Sequence, residues 1–380
     1  MSSLKTNKIF CVVGTRPEFI KLNPIITSLK ASEHFQPLIL NTRQHQDDLL
    51  NKGVLNELGL KSDIILDQKF GSRKQRNKEI ISQISGIIDR YDPCGVLVVG
   101  DVDSSLVGAR ACKKKNVPLI HIEAGLRSFD KDMPEEHNRV EVDRLSKYLF
   151  TTEPQANKNI EHEFYINKRT HFVGHVVVDM LKNYYSSRIP SQNSFLNLKI
   201  PLKILTEPGY GVLTLHRCAN IDDPRILRSI LEGIKTVGKQ FPIVFPIHPK
   251  THQRIKEGGL SHLLSPPEIY TCRPLSFLEM LGLLEGSKLL FTDSGGLQEE
   301  SAVLGLPCIT LRENTERPIT CSNGTNMLVG MDSQSIVNAA RMCSFIRKEN
   351  SQVHELWDGN ASKRIVNILE KEFVSNGFTF

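Results

Sequence analysis

A nineteen-residue stretch, HIEAGLRSFDKDMPEEHNR at 121–139, concentrates groups that can exchange protons. It contains five acidic side chains, two arginines and two histidines, and the apolar residues VPLI lead directly into it. Carboxylates at the end of a buried strand are costly unless they are paired or used. Because carboxylates are common general acids and bases, this stretch predicts proton-transfer chemistry whose negative charge nearby cations must balance.

Four residues at strand ends or helix starts are the candidate catalytic side chains. Asp101 closes the apolar run GVLVVGD, Glu123 closes VPLIHIE, and His216 closes GVLTLH. Glu135 follows a proline that favours a helix start, so it falls in the first turn of a helix. Structural interpretations also exist: Asp101 can cap the next helix, and Glu135 can pair with Arg139 across one turn. A lone strand-end histidine is likewise more often structural than catalytic.

The segment TDSGGLQEESAVLG at 292–305 predicts an anion site at a helix N-terminus. A strand ends there, Ser294, Gly295 and Gly296 follow, and a helix begins. Exposed N–H groups and the helix dipole attract a phosphate, and glycine lets it approach the backbone. Ser294 adds a hydroxyl donor, and Glu300 can accept hydrogen bonds from ribose hydroxyls. The alternative is a plain tight turn. The Walker lysine pattern and G-x-G-x-x-G are both missing, which disfavours ATP and dinucleotides.

The segment GTRPEFIK at 14–21 predicts a second cationic loop. Gly14 permits a turn, Pro17 suits a helix start, and Arg16 and Lys21 bring positive charge to the strand end. An arginine in a first βα loop suits a diphosphate group. The alternative is that Arg16 is held by a local carboxylate such as Glu18.

The composition favours a globular protein with an anionic small ligand. The 380-residue chain carries 48 basic and 42 acidic residues, a formal net charge of +6, and the basic residues are dispersed. This mild excess suits a small anion and gives no reason to expect nucleic acid as a partner. A chain of this length predicts about two domains.

We expect neither a metal site nor a membrane segment. Eight cysteines are scattered without a C-x-x-C pair, which indicates reduced thiols in a cytoplasmic protein. His248 and His252 are four residues apart, but H-E-x-x-H and a convincing third ligand are missing. The N-terminus lacks an apolar signal region, and no apolar run approaches the roughly 20 residues of a membrane span. No cofactor is expected.

Strand-like apolar runs alternate with helical spacing along the whole chain. The runs are 8–14, 36–41, 95–101, 117–123 and 147–153, followed by 211–216, 242–248, 288–292 and 306–311. Such a series predicts an α/β fold with two mostly parallel sheets. Ligands bind beyond the carboxyl ends of parallel strands, where the candidate residues lie.

A polar, proline-interrupted stretch at 184–204 predicts a domain boundary. We expect one Rossmann-like domain at 1–183 and a second at 184–358. The final helical segment, 359–380, is expected to pack back on the first domain. The reactive loops then face one cleft between the two domains.

The chain resembles a known enzyme family. GTRPEFIK, GDVDSS, HIEAGLRSFDKDMPEEHNR, HRCAN, TDSGGLQEE and TERP (315–318), in this order, resemble the non-hydrolysing UDP-N-acetylglucosamine 2-epimerases from about residue 8 to about residue 370. The resemblance implies a glycosyltransferase-B-like pair of domains, a UDP-sugar in the cleft, UDP binding by the C-terminal domain, and a homodimer. It also implies anti elimination of UDP to a 2-acetamidoglucal, followed by re-addition.

The resemblance assigns roles residue by residue. Asp101, Glu123 and Glu135 are expected as acid and base carboxylates, and His216 as a catalytic residue that contacts UDP. The remaining UDP-binding residues are expected to be Arg16, Lys21, Ser294, Gly295, Gly296, Glu300 and Arg317.

Two positions depart from the family pattern. Ala219 stands where many members carry a glutamate, and Asp47 occupies a place that often differs in members activated by UDP-N-acetylglucosamine. Three alternatives stay open. They are a hydrolysing 2-epimerase that releases ManNAc and UDP, a glycosyltransferase of the same fold, and an inactive regulator that binds a UDP-sugar.

Overall fold

The computed structural model describes residues 7–44, 48–67, 71–164, 169–206, 209–343 and 353–375, so Asp47 lies outside the described residues. The chain forms two compact units, Met1–Asn183 with Leu356–Phe380 and Tyr184–Glu355. Residues 356–358 belong to the first unit. There, the indole Nε1 of Trp357 donates to the Thr152 carbonyl at 2.9 Å.

The first unit is an α/β structure built on one parallel sheet. Its strands and helices alternate in chain order: β1 Asn7–Val13, α1 Arg16–Ala31, β2 Phe35–Asn41, α2 Asp48–Glu57, β3 Ile64–Ile65, α3 Arg73–Tyr91, β4 Gly95–Val99, α4 Asp103–Lys115, β5 Leu119–Ala124, α5 Pro134–Leu145, β6 Tyr148–Thr151, α6 Pro154–Phe164, β7 Arg169–Phe172 and α7 Val176–Tyr184. The seven strands are ordered β3-β2-β1-β4-β5-β6-β7.

The second unit repeats this arrangement with six parallel strands. Its elements are α8 Ser191–Leu198, β8 Gly211–Thr214, α9 Cys218–Ile221, α10 Pro224–Gly238, β9 Ile243–Pro246, α11 Pro249–Glu257, β10 Ile269–Cys272, α12 Phe277–Gly286, β11 Leu289–Thr292, α13 Gly295–Val303, β12 Cys308–Thr310, α14 Pro318–Ser322, β13 Asn326–Leu328 and α15 Ser333–Cys343. The strand order is β10-β9-β8-β11-β12-β13. The predicted pair of parallel sheets is confirmed.

The last helix, α16 Ala361–Glu370, belongs to the first unit and contacts α1. Ser32, which follows α1, donates its hydroxyl to Glu370 at 2.6 Å. Beyond the helix, the ring of Phe373 packs edge-on against Phe35. The chain therefore completes its first unit with its last described residues.

Apolar sequence explains why the strands form a core. The central strands β1, β4 and β5 are buried along most or all of their length, as expected for strands covered by helices on both faces. Among the described residues, no helix is long and apolar enough to cross a membrane.

Each sheet has a point where the strand order reverses direction. In the first unit this point lies between β1 and β4, and in the second it lies between β8 and β11. Open parallel sheets bind ligands at such points, outside the carboxyl ends of the strands. Arg16 and Asp101 follow the first pair of strands, and His216 and Ser294 follow the second pair. The topology thus places predicted site residues at both reversal points.

Candidate active site

The loop after β1 is fixed by a buried carboxylate. Glu18 accepts hydrogen bonds from the backbone N–H groups of Gly14 and Thr15, both at 2.8 Å, and from the hydroxyl of Ser104 on α4 at 2.6 Å. Burial raises the pKa of Glu18 to about 7, although these hydrogen bonds oppose the rise. Arg16 is the first residue of α1 and is half-buried. Glu18 therefore ties the arginine-bearing loop to the helix that follows Asp101.

Glu123 is presented by an unusual backbone. It has a φ of 64°, in the left-handed region, where the pairing of β5 with β6 shifts register between Ile122 and Ala124. A non-glycine residue rarely adopts this conformation, which is typical of bulges near functional sites. The carboxylate is buried, and its Oε2 accepts a hydrogen bond from Lys21 Nζ at 2.5 Å. A predicted acid–base carboxylate and a predicted UDP-binding cation are thus in direct contact.

A buried ionic cluster around Asp143 contacts the residues on both sides of this bulge. Asp143 on α5 lies 2.7 Å from both His121 Nδ1 and Arg127 Nη1, and it accepts the Gly125 N–H at 3.1 Å. His121 Nε2 lies 2.9 Å from the carbonyl oxygen of Gly100. Both ring nitrogens therefore face hydrogen-bond acceptors. Burial alone would raise the pKa of Asp143, but His121 and Arg127 lower it.

Asp101 lies at the end of the strand next to Glu123. The preceding Gly100 has a φ of 70°, and a Cβ built on it would stand 3.6 Å from Glu123 Oε2. The Asp101 side chain pairs with Arg139, whose own side chain is buried. The N-cap of α4 is Val102, so the capping role considered for Asp101 does not apply. Its carboxylate is instead neutralised by a cation.

The two adjacent glutamates at the start of α5 differ in burial. Glu135 is exposed, whereas Glu136 is buried and accepts the Ser128 N–H at 2.8 Å. Arg139 contacts Glu136 and Asp101, in place of the Glu135–Arg139 pair that the spacing allows. Of the three predicted carboxylates, Glu135 is therefore the exposed one.

In the second unit, the start of α13 is the predicted anion site. Ser294 is the N-cap, and its side chain makes no capping hydrogen bond to the helix. A Cβ on Gly295 would stand 2.5 Å from Arg317 Nη1, so the missing side chain makes room for the guanidinium. A Cβ on Gly296 would meet nothing within 4 Å. The first turn thus combines open backbone with an adjacent arginine.

Arg317 belongs to a network of buried charges. Its guanidinium contacts Glu299 on α13 and, through Nη1, Glu316 at 3.0 Å. Glu316 also accepts from Arg312 at 2.9 Å, and Arg217 Nη2 lies 3.6 Å from it. Burial would raise the pKa of Glu316, but the surrounding arginines hold it well below the usual value. The sequence did not predict these carboxylates as partners of Arg317.

Glu300 is half-buried on α13, one residue after Glu299. Neighbouring residues of a helix point in different directions, so the two glutamates have separate surroundings. Glu299 is the one that pairs with Arg317.

His216 is oriented by an aspartate that the sequence analysis did not single out. Its Nδ1 lies 3.0 Å from Asp293 Oδ1, and its backbone N–H also bonds this carboxylate. Asp293 accepts further hydrogen bonds from the Arg217 N–H and the Asn220 amide. With Nδ1 facing a carboxylate, Nε2 is the ring nitrogen left to exchange protons. Asp293 ends a strand just as Asp101 does, which is the signal that could have identified it.

Comparison with known proteins identifies the family. The family model described as UDP-N-acetylglucosamine 2-epimerase matches residues 27–370. The chain is 38% identical to a UDP-N-acetylglucosamine 2-epimerase of Methanococcus maripaludis, over 95% of this chain and 98% of that protein. It is 36% identical to the UDP-2,3-diacetamido-2,3-dideoxy-D-glucuronate 2-epimerase of Pseudomonas aeruginosa, over 96% of this chain and 99% of that protein.

A solved structure gives the same result for the fold. The UDP-GlcNAc 2-epimerase of Methanocaldococcus jannaschii, in complex with UDP-GlcNAc and UDP, matches with a TM-score of 0.85. It is 35% identical and covers 95% of this chain and 99% of that chain. The two parallel-sheet α/β units are of the glycosyltransferase-B-like kind, as predicted. The chain belongs to the UDP-N-acetylglucosamine 2-epimerase family.

Proposed function

We propose that the protein interconverts the C2 epimers of a UDP-N-acetylhexosamine, with UDP-GlcNAc and UDP-ManNAc as the pair. The reaction would supply precursors for surface polysaccharide and would proceed without net hydrolysis. The proposal rests on family membership and on one structural observation, the pair of carboxylates at adjacent strand ends. Glu123 is held by Lys21, and Asp101 is held by Arg139.

Two carboxylates suit a reaction that exchanges one proton between two faces of a sugar carbon. In the first step a carboxylate removes the C2 proton while the C1–O bond to UDP breaks, which leaves a C1=C2 double bond. In the second step a carboxylic acid protonates C2 from the opposite face, and a UDP oxygen re-forms the bond to C1. No oxidant or reductant is required. Asp101, Glu123 and Glu135 are the proposed acid and base residues.

The departing UDP needs positive charge and N–H donors. We assign this role to Arg16 and Lys21 in the first unit, and to the Ser294–Gly296 helix start with Arg317 in the second. A helix N-terminus and preorganised donors stabilise a developing diphosphate charge. His216, oriented by Asp293, is proposed to contact UDP, and Glu300 is proposed to accept hydrogen bonds from the ribose.

The non-hydrolysing course is proposed from the first loop. The motif Gly14-Thr15-Arg16-Pro17-Glu18 is one of those through which this chain resembles the non-hydrolysing enzymes. Glu18 fixes the loop that carries Arg16. A rigid loop supports retention of UDP while the glycal is reprotonated, so UDP and not water adds to C1.

The test is to incubate the purified protein with UDP-GlcNAc in deuterated buffer containing EDTA and to follow the sugar by NMR. We expect deuterium at C2 and the same mixture of epimers from UDP-GlcNAc and from UDP-ManNAc. UDP-2,3-diacetamido-2,3-dideoxy-glucuronate is run in parallel, because one of the similar proteins acts on that sugar.

The possible outcomes separate the alternatives. Stoichiometric ManNAc and UDP would show that water adds, and the enzyme would then be a hydrolysing epimerase. Tight UDP binding without C2 exchange on any of these sugars would favour a regulator. Turnover that requires a sugar acceptor would favour a glycosyltransferase. Any of these results would overturn the proposal.

We also propose that the enzyme acts as a homodimer, as the resemblance implies, and that it is cytoplasmic, as the scattered cysteines indicate. Light scattering coupled to size-exclusion chromatography tests the oligomeric state. A mass equal to that of one 42.8 kDa chain at assay concentration would contradict the dimer.

A further inference from the structure

His175 is a buried histidine that the sequence analysis did not single out. It lies between β7 and α7, after Gly174, whose φ is 82°. A Cβ at Gly174 would stand 2.0 Å from the carbonyl oxygen of Leu356, so this position is closely packed. The side chain of His175 is almost completely buried. The turn therefore holds an imidazole inside the first unit.

The backbone selects one tautomer of this ring. The Val177 N–H donates to His175 Nδ1 at 3.1 Å, so Nδ1 is an acceptor and carries no proton. The proton of the neutral ring is therefore on Nε2. The ring also packs edge-on against Trp357, with the centroids 5.1 Å apart. These contacts fix the direction in which the Nε2–H points.

The Nε2 atom faces Glu123. It lies 3.8 Å from Glu123 Oε1, whereas Lys21 bonds the other carboxylate oxygen, Oε2, at 2.5 Å. Within the described residues, the buried Glu123 Oε1 accepts no hydrogen bond. A distance of 3.8 Å is too long for a hydrogen bond, but catalytic hydrogen bonds are often long without substrate and shorten in the complex.

We propose that His175 is a positioning residue for Glu123, which donates its Nε2–H to Oε1 when substrate is bound. Lys21 and His175 then hold the two carboxylate oxygens from different sides and fix the direction in which Glu123 meets C2. Each oxygen keeps a second lone pair for the transferred proton. The inference rests on the proposed acid–base role of Glu123.

A purely structural role makes different predictions. If His175 only fills space against Trp357, a ring of similar size without the N–H serves equally well. If it positions Glu123, the N–H is needed even where packing is kept. The variants His175→Phe and His175→Gln separate these cases, because phenylalanine keeps a ring and glutamine keeps a donor near the Nε2 position.

We expect His175→Phe to lower kcat about tenfold or more, the usual effect of losing a charge-assisted hydrogen bond. KM and UDP affinity should stay within about twofold of the original protein. His175→Gln should recover most of the lost kcat. The matched control is His171→Phe, since His171 lies on β7 and stacks on Phe150 at 5.5 Å. This control should leave kcat unchanged, and the melting temperature is recorded for each variant.

An NMR measurement tests the contact independently of turnover. In the presence of UDP-GlcNAc, imidazole ¹⁵N spectra should show His175 as the Nε2–H tautomer, and Glu123→Gln should shift its Nε2 resonance. A kcat of His175→Phe equal to the original, a lack of recovery in a stably folded His175→Gln, or an unshifted resonance would each overturn the inference. If the original protein shows no C2 exchange, the proposed function fails, and the NMR result alone decides the role of His175.

Discussion

Nδ1 of His216 lies 3.0 Å from a carboxylate oxygen of Asp293, which is fully buried, while nearly half of the histidine side chain is exposed. Burial alone would raise the pKa of Asp293, but the hydrogen bond and charge of His216 lower it. The aspartate is therefore an anion that fixes the tautomer of a solvent-facing imidazole. This arrangement is typical of histidines that act in catalysis.

The variant Asp293→Asn tests this pair. The amide keeps the size of the side chain but can turn its NH₂ group toward Nδ1 and favour the other tautomer. We expect kcat to fall about 100-fold or more, as when the aspartate of a catalytic triad becomes asparagine. Steady-state kinetics measures the loss. Asp223→Asn, a change at a partly exposed N-cap in the same unit, should leave kcat intact. Equal kcat values for Asp293→Asn and Asp223→Asn would contradict the role of Asp293 in orienting His216.

The variant Asp101→Asn tests Asp101 as one of the proposed acid–base carboxylates of the first unit. An amide neither takes nor gives the C2 proton at neutral pH, so kcat should fall about 100-fold or more. UDP affinity, measured by calorimetry, should be nearly unchanged. The melting temperature should also fall, because the buried Arg139 loses a counter-charge. Asp89→Asn, which removes a partly exposed pair with Lys115, serves as the control for loss of charge. A fully active Asp101→Asn would remove this carboxylate from the mechanism.

Arg317 combines a binding role with a structural one. Replacing it with alanine should raise KM by one to two orders of magnitude, since a charge-assisted contact contributes about 1.5–3 kcal/mol. It should also lower stability, because Glu299 loses an ion-pair partner. Arg317→Lys keeps the charge but loses the guanidinium fork, so it should recover stability better than KM. Arg225→Ala, at a largely exposed arginine, is the control. An unchanged KM in Arg317→Ala would exclude contact with substrate.

Glu18 should make the folded protein less stable as the pH rises from 4.5 to about 7, the reverse of the usual effect of a paired carboxylate. Its pKa rises from 4.5 in the unfolded chain to about 7 in the folded protein. Between these values the folded state holds the proton more tightly, so the contribution of Glu18 to stability is largest below pH 4.5 and falls toward pH 7. The shift corresponds to about 3 kcal/mol. Denaturant unfolding gives the free energy of unfolding of Glu18→Gln and of the original protein at each pH. As the pH rises, the original protein should lose about this amount of stability relative to the variant. A constant difference would contradict the prediction.

Sequence pattern was sufficient for the sheets but not for individual side chains. The runs around Cys11 and Leu97 are apolar on consecutive residues, which predicts strands covered on both faces, and parallel sheets follow from their alternation with helices. The pattern does not decide which of two adjacent polar residues faces inward. Glu135 and Glu300 are the residues that the sequence analysis names, and the structure shows that their neighbours Glu136 and Glu299 are the buried members of the two pairs.

Residues that act through a second residue were also missed. Asp143 and His175 lie far from Glu123 in the chain, so local spacing gives no sign of their contacts around it. The left-handed φ of Glu123 is equally invisible, because the sequence there reads as a regular apolar strand. Only the folded sheet brings β5, α5 and the β7–α7 turn together.

The order of chain segments in the two units has a consequence for biosynthesis. The second unit is one continuous segment, Tyr184–Glu355, whereas the first needs residues from both parts of the chain. During vectorial synthesis, the second unit can fold once its own segment has left the ribosome. The first must wait for α16, whose Ile365 and Leu369 are fully buried. Until then the partly formed core of the first unit exposes apolar surface that chaperones bind. Premature termination within α16 would therefore impair the first unit, although most of that unit is synthesised first.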